Sequence, residues 1–127
     1  MKKSGFSIIE LLVVATIIVV LSTIGLVSYR QATVSSRNAK RKADLETVRA
    51  ALVMYRTDEG NYPDTDSFSS MLGELQAGDY LNVDNIEDPK NDSTYRYRYD
   101  SHSNGASFDL CAYLEADPIE HYCVYNP

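Results

Sequence analysis

The stretch FSIIELLVVATIIVVLSTIGLVSY, residues 6–29, is apolar at nearly every position and holds one charge, Glu10. Its uncharged run from Leu11 to Tyr29 is 19 residues long, and Phe6 to Glu10 extends it to 24. As an α-helix that is roughly 36 Å, enough to cross a hydrocarbon core of about 30 Å. A secretory signal peptide, with Lys2 and Lys3 as its basic start, fits poorly. Its apolar region is about 7 to 15 residues and ends at a small-residue cleavage site, whereas this segment is longer and continues into SYRQATVSSRNAK. A retained anchor is the better reading. Lys2 and Lys3 then place the N-terminus in the cytoplasm, and everything after Arg30 lies on the far side of the membrane.

Beyond Tyr29 the apolar positions become one-sided. Neither Pro nor Gly occurs between Val27 and Glu59, and Leu45, Val48, Leu52 and Tyr55 recur at helical spacing with Lys42, Asp44, Glu46, Arg49 and Arg56 between them. One helix from about Phe6 to Thr57 is predicted, on the order of 75 Å long, apolar all round over residues 6–29 and striped over residues 30–57. Gly60 and Pro63 in DEGNYPD stop it. In DSFSSMLGELQAGDYL, Phe68, Met71, Leu72 and Leu75 share one helical face. They predict a short amphipathic helix over residues 67–77, with Asp66 or Ser67 as its N-cap and Gly78 as its stop.

After the acidic loop DYLNVDNIEDPKND the period falls to two. TYRYRYD alternates Tyr95, Tyr97 and Tyr99 with Thr94, Arg96 and Arg98; DSHSNGAS reads as a turn. SFDLCAYLE puts Phe108, Leu110, Ala112 and Leu114 on one face, and EHYCVY follows the turn ADPI. An antiparallel sheet of three or four strands over residues 94–125 is predicted. The fold class is therefore α+β: a long N-terminal helix packed on a small antiparallel head spanning residues 58–127. If the last turn centres on Asp117, Cys111 and Cys123 face each other. Directly opposed antiparallel residues are about 4.5 to 5.5 Å apart at Cα, inside the disulfide range of about 4.4 to 6.8 Å. A disulfide is expected, since export makes the compartment permissive and His102 and His121 lack ligand spacing with the two cysteines.

Charge changes the picture along the chain. Residues 1–56 carry nine Lys or Arg against three acids, and residues 57–127 carry three (Lys90, Arg96 and Arg98) against fifteen, so the halves are +6 and −12. An acidic head repels nucleic-acid backbones and serves solubility. At 127 residues there is room for one domain besides the N-terminal segment. No GxSxG, HExxH or glycine-rich phosphate loop occurs, so neither an enzyme nor a cofactor is expected. Asp84, Asp88 and Asp92 are weak calcium candidates, without the glycine and closing glutamate of an EF-hand.

Glu10 costs about 2.5 to 3.5 kcal/mol at mid-membrane and less near an interface. One reading has its carboxylate reach back to the headgroups. The other comes from resemblance: KKSGFSIIELLVV resembles the class III signal of type IV pilins and of the pseudopilins of type II secretion, with a short basic leader, Gly, Phe, a carboxylate and an apolar run. The resemblance implies a pilin fold and a leader of residues 1–5. It also implies cleavage between Gly5 and Phe6 by a membrane-embedded prepilin peptidase, and N-methylation of Phe6. Glu10 would then act as counter-ion to the N-terminal amine of a neighbouring subunit. GNYPDTDSF is similar to the loop that follows the helix in major pseudopilins. Two departures stand out. Many pilins have a Pro late in the membrane segment, where this chain has only Gly25 flanked by Ser22, Thr23 and Ser28. Major pseudopilins commonly bind calcium through a C-terminal loop and often lack cysteine, and that calcium site has no residue-by-residue match here.

Three functions follow. The first is a pilin of a type IV pilus-like extracellular filament, homo-oligomeric through the N-terminal helix, processed by prepilin peptidase and assembled on an inner-membrane platform. Its precursor would be a single-pass protein of the cytoplasmic membrane. The second is the major pseudopilin of a type II secretion system. The third, of another class, is a membrane-tethered binding domain that never polymerises.

Overall fold

A computed structural model describes residues 5–83 and 85–126. Chain order is α1 (Ile8–Glu59), α2 (Phe68–Ala77), β1 (Arg98–His102), β2 (Ser107–Leu114) and β3 (Glu120–Tyr125), an α+β arrangement. The chain divides into two compact units at Ser35 and Ser36, and each is described by itself.

The first unit holds the apolar part of α1. Its large side chains are exposed from Phe6 to Tyr29, Ile8 by 81%. Both threonines here are satisfied by their own helix: Thr16 Oγ1 donates to the Val13 carbonyl at 2.8 Å and Thr23 Oγ1 to that of Val20 at 2.8 Å. Such back-bonding removes the hydroxyl proton from competition for water, so these threonines cost little in an apolar environment. The helix runs through Gly25 without interruption.

In the second unit the rest of α1 buries one stripe, Arg41, Leu45, Val48, Ala51 and Leu52. Tyr55 ends the stripe half-buried, edge-on to Tyr80 with ring centroids 5.4 Å apart. Gly60 closes the helix in the left-handed region at φ 88°, its N–H donating to the Arg56 carbonyl at 2.8 Å, as a C-terminal glycine cap does. Helix α2 starts on Ser67, whose side chain accepts from the Ser70 N–H, and it buries Met71 and Leu75.

The sheet has strand order β1-β2-β3, both pairs antiparallel. Alternate residues of β2, namely Phe108, Leu110, Ala112 and Leu114, are buried, which gives the sheet one dry face. That face meets Leu45, Val48 and Leu52 of α1 and Met71 and Leu75 of α2 in one core, with Tyr62, Tyr97, Tyr99 and Val124.

The first strand corrects the sequence reading. It begins at Arg98 rather than Thr94 and continues to His102, three residues into the segment read as a turn. Asp92 decides the start: its Oδ1 accepts the N–H groups of Thr94 and Tyr95 at 2.9 and 2.7 Å, folding those residues into a turn that competes with a ladder. Ser103, Asn104 and Gly105 then take positive φ, and this tip docks on the loop after α1. The Tyr62 N–H donates to the Gly105 carbonyl at 2.8 Å.

Gly105 therefore has two constraints, a φ of +79° and a backbone oxygen, that of Tyr62, 2.4 Å from where a Cβ would stand. Gly105→Ala is expected to destabilise the head by roughly 2 to 4 kcal/mol. Thermal melting followed by tyrosine near-UV circular dichroism should show a midpoint lower by on the order of 10 °C.

Candidate functional site

The chemistry of the N-terminal segment begins at the first turn of α1. Gly5, Phe6 and Ser7 precede the helix, and the first helical hydrogen bond runs from the Leu11 N–H to the Ser7 carbonyl at 3.2 Å. Ser7 Oγ accepts the Ile9 N–H at 3.3 Å, and Glu10 Oε2 reaches back to the Ser7 N–H at 2.9 Å. Ser7-Ile8-Ile9-Glu10 is thus a variant of the capping box, with the Ser7 hydroxyl on the N–H of the second helical residue rather than the third, and it satisfies two of the donors at the helix start. Glu10 has a partner within its own chain, and its negative charge sits at the positive end of the helix dipole. The Ser-x-x-Glu spacing is visible in the sequence, and the reading of Glu10 as a lone charge passed over it.

Past this cap, α1 is long and apolar enough to cross a membrane, and its apolar stretch is unburied. A surface of this extent needs lipid or other helices. Residues 1–26 match a family profile described as the prokaryotic N-terminal methylation motif. Residues 29–118 match one described as type II secretion system (T2SS), protein G. The chain belongs to the type II secretion protein G family. It is a pilin- or pseudopilin-type structural subunit, with a membrane-anchoring helix in its precursor. No curated protein and no solved structure matches it significantly.

In the head of this family member, Cys111 and Cys123 form a disulfide directly across β2 and β3. Both lie on the sheet face opposite the core, since Leu110, Ala112 and Val124 point inward. The same outer face carries both histidines. His102 Nε2 lies 3.2 Å from Asp109 Oδ2, and His121 meets Tyr113 edge-on at 4.2 Å between centroids. Arg98 stacks on Tyr113 with Cζ 5.0 Å from its centroid. Tyr97 and Tyr99, from the alternating tyrosines, instead enter the core. Their hydroxyls donate to Asp44 Oδ2 at 2.6 Å and to the Pro63 carbonyl at 2.8 Å. Burial first, and the Asp44 carboxylate second, raise the Tyr97 hydroxyl far above its ordinary pKa.

The sequence reading missed the polar centre of the head. Arg41 is fully buried on the α1 stripe. Its Nε and Nη2 donate to Asp88 Oδ2 and Oδ1 at 2.6 and 2.9 Å, and its Nη1 donates to Asn38 Oδ1 and Glu115 Oε1, both at 2.8 Å. Glu115 also takes a two-point contact from Arg37 at 2.7 and 2.6 Å, and Lys90 Nζ stands 3.2 Å away. The Asn38 side chain completes the junction by bonding both the N–H and the carbonyl of Glu115. Arg41 occupies the position one turn before Leu45, where the stripe could have revealed it.

Of the calcium candidates, Asp88 is committed to Arg41, Asp92 is committed to its own turn, and Asp84 lies outside the described residues. No grouping of three or more His, Cys, Asp or Glu able to hold a metal occurs among the described residues.

Hydrogen bonds from Arg37 foremost, then from Arg41 and Lys90, outweigh burial and hold the Glu115 carboxyl at about 2, against 4.5 ordinarily. Burial pushes Asp88 up, and the Arg41 hydrogen bonds together with the Lys90 N–H bring it below the usual carboxylate range. A carboxyl depressed in the folded state contributes stability above its unfolded value and loses it as pH falls toward the folded one. Glu115 should contribute on the order of 3 kcal/mol at neutral pH, lost between pH 4.5 and about 2. Glu115→Gln is expected to melt lower at pH 7 and to show a flatter dependence across that window, measured by denaturant midpoints at a series of pH values.

Proposed function

We propose that this subunit polymerises through residues 6–29 into a type IV pilus-like filament at the cell surface, after prepilin peptidase cuts between Gly5 and Phe6 and methylates the Phe6 amine. The observation that carries the reading is the N-terminal methylation motif on a helix whose apolar surface is left unburied among the described residues. In the membrane the precursor stands with its N-terminus in the cytoplasm and its head outside, as Lys2 and Lys3 favour. An inner-membrane platform then extracts it. The match of residues 29–118 to protein G favours a second reading, a major pseudopilin whose filament stays short and periplasmic. The domain division follows the same reading: leader 1–5, filament-core helix 6–29, its amphipathic continuation 30–57 and head 58–127.

Glu10 has two roles in this scheme. In the lone subunit its carboxylate caps its own helix. In the filament it balances the cationic Phe6 amine of a neighbour, a charge that would otherwise be buried without compensation. The two differ in size, since a lost cap costs about 1 kcal/mol and an uncompensated buried charge about 3 to 5 kcal/mol.

Intact-mass analysis of membrane or filament material is expected to show loss of Met1 to Gly5 and one added methyl on Phe6. A mature chain starting elsewhere refutes the processing step. Sheared surface filaments seen by electron microscopy support the pilus reading, and filaments confined to the periplasm support the second.

A pair of substitutions separates the two roles of Glu10. Glu10→Gln keeps an acceptor for the Ser7 N–H and removes the charge, whereas Glu10→Leu removes both. If the counter-ion matters, neither variant makes filaments although both are inserted and processed. If only the cap matters, Gln assembles at near-normal numbers in a strain lacking the wild-type subunit.

A further inference from the structure

We infer that the guanidinium of Arg41 is a built-in cation that closes the acidic 85–92 loop onto the head, so that this loop folds without any divalent metal. The acidity of the loop invites the opposite conclusion, and the saturation of its one buried carboxylate, Asp88, and of Glu115 at the end of β2 beside it decides against it. Asp88 Oδ2 accepts from Arg41 Nε, and its Oδ1 accepts from Arg41 Nη2 at 2.9 Å and from the Lys90 N–H at 2.8 Å, with the Asn91 N–H at 3.4 Å. Glu115 Oε1 takes donors from Arg37 and Arg41, Oε2 takes one from Arg37, and the Lys90 ammonium forms an ion pair with Oε2 at 3.2 Å. A carboxylate offers about four lone-pair sites; Asp88 has four N–H donors on it, and Glu115 has three with the Lys90 ammonium paired alongside.

Geometry and charge agree. Arg41 uses all three of its nitrogens, and its Cζ stands 4.9 Å from the centroid of the Tyr95 ring, with Lys90 Nζ 4.4 Å from the same centroid. The fixed fork of a guanidinium thus binds helix α1, the loop and the end of β2 together, as a metal would through carboxylate oxygens. The cluster of Arg37, Arg41, Lys90, Asp88 and Glu115 carries a formal charge of +1, which repels a further cation instead of attracting one. Every buried side-chain polar atom among the described residues already has a partner, so no orphaned oxygen is left to recruit a metal.

The test uses the full chain in detergent micelles, with head unfolding followed by tyrosine near-UV circular dichroism. Calcium chloride at 5 mM is compared with the same concentration of EDTA. A site filled at a hundred times its dissociation constant would raise the midpoint by about 10 °C or more, whereas a shift below about 2 °C is expected here. Any larger calcium-dependent rise overturns the inference. In parallel, Arg41→Met removes the cation and leaves Asp88 and Glu115 short of donors, so its midpoint should fall by at least about 10 °C. Arg41→Lys, which keeps the charge but not the fork, should fall between the two. Should Arg41→Met fail to fold, Arg41→Lys and the wild-type calcium comparison still decide, because an Arg41→Lys midpoint equal to that of wild type also overturns the role given to the guanidinium.

Discussion

Burying the guanidinium of Arg41 imposes order on the whole head. The effective desolvation penalty of a buried ion is several kcal/mol, and it is offset only where geometry is good and each remaining donor is met. Arg41 achieves this by drawing on residues 47 and 74 positions away, Asp88 and Glu115. Neither segment can shift without stranding a charge. Around that centre the ordinary hydrophobic terms apply: Leu45, Val48 and Leu52 are fully buried, each contributing about 1.5 to 3 kcal/mol. The apolar stripe supplies most of the driving force, and the buried cation fixes which loop and which strand end rest on it.

The N-terminal segment obeys a different solvent. Its threonines bond to their own helix and its one acid bonds to the first turn, so these polar groups are satisfied without water. A segment so arranged is compatible with lipid before assembly and with packed helices afterwards. The capping box also bears on why an acid is tolerated there. An N3 carboxylate is stabilising at a helix N-terminus on local grounds alone, and that gain offsets part of the cost of leaving water.

Much of this was legible in the sequence because the chain is locally consistent. Helical spacing of Leu45, Val48 and Leu52 and the alternation from Phe108 to Leu114 each matched the burial in the structure, and Ser67 and Gly78 bounded α2. Two readings failed for physical reasons. Alternating tyrosines suggested a strand from Thr94, but Tyr95 is spent as a ring beneath two cations and Asp92 holds a turn there. Arg41 sits between Lys40 and Lys42, where a basic run normally means a solvated face, so the run itself offers no sign that this residue is buried on the stripe. Charge pairing across 47 or 74 residues leaves no periodic trace, and only the assembled fold brings the partners together.

The disulfide has a mechanical meaning. Strand β3 is at the edge of the sheet, held by β2 alone, and its six paired rungs run from Asp109↔Tyr125 to Leu114↔Glu120. Force pulling on a terminal edge strand opens such a ladder one rung at a time, like a zipper, at low load. In this ladder the third rung from the C-terminal end is covalent, Cys111↔Cys123. Peeling that starts at Tyr125 stops after two rungs, and any further yielding must shear the remaining contacts together. Under any load applied at the C-terminal end of β3, the crosslink acts as a rivet in the edge strand.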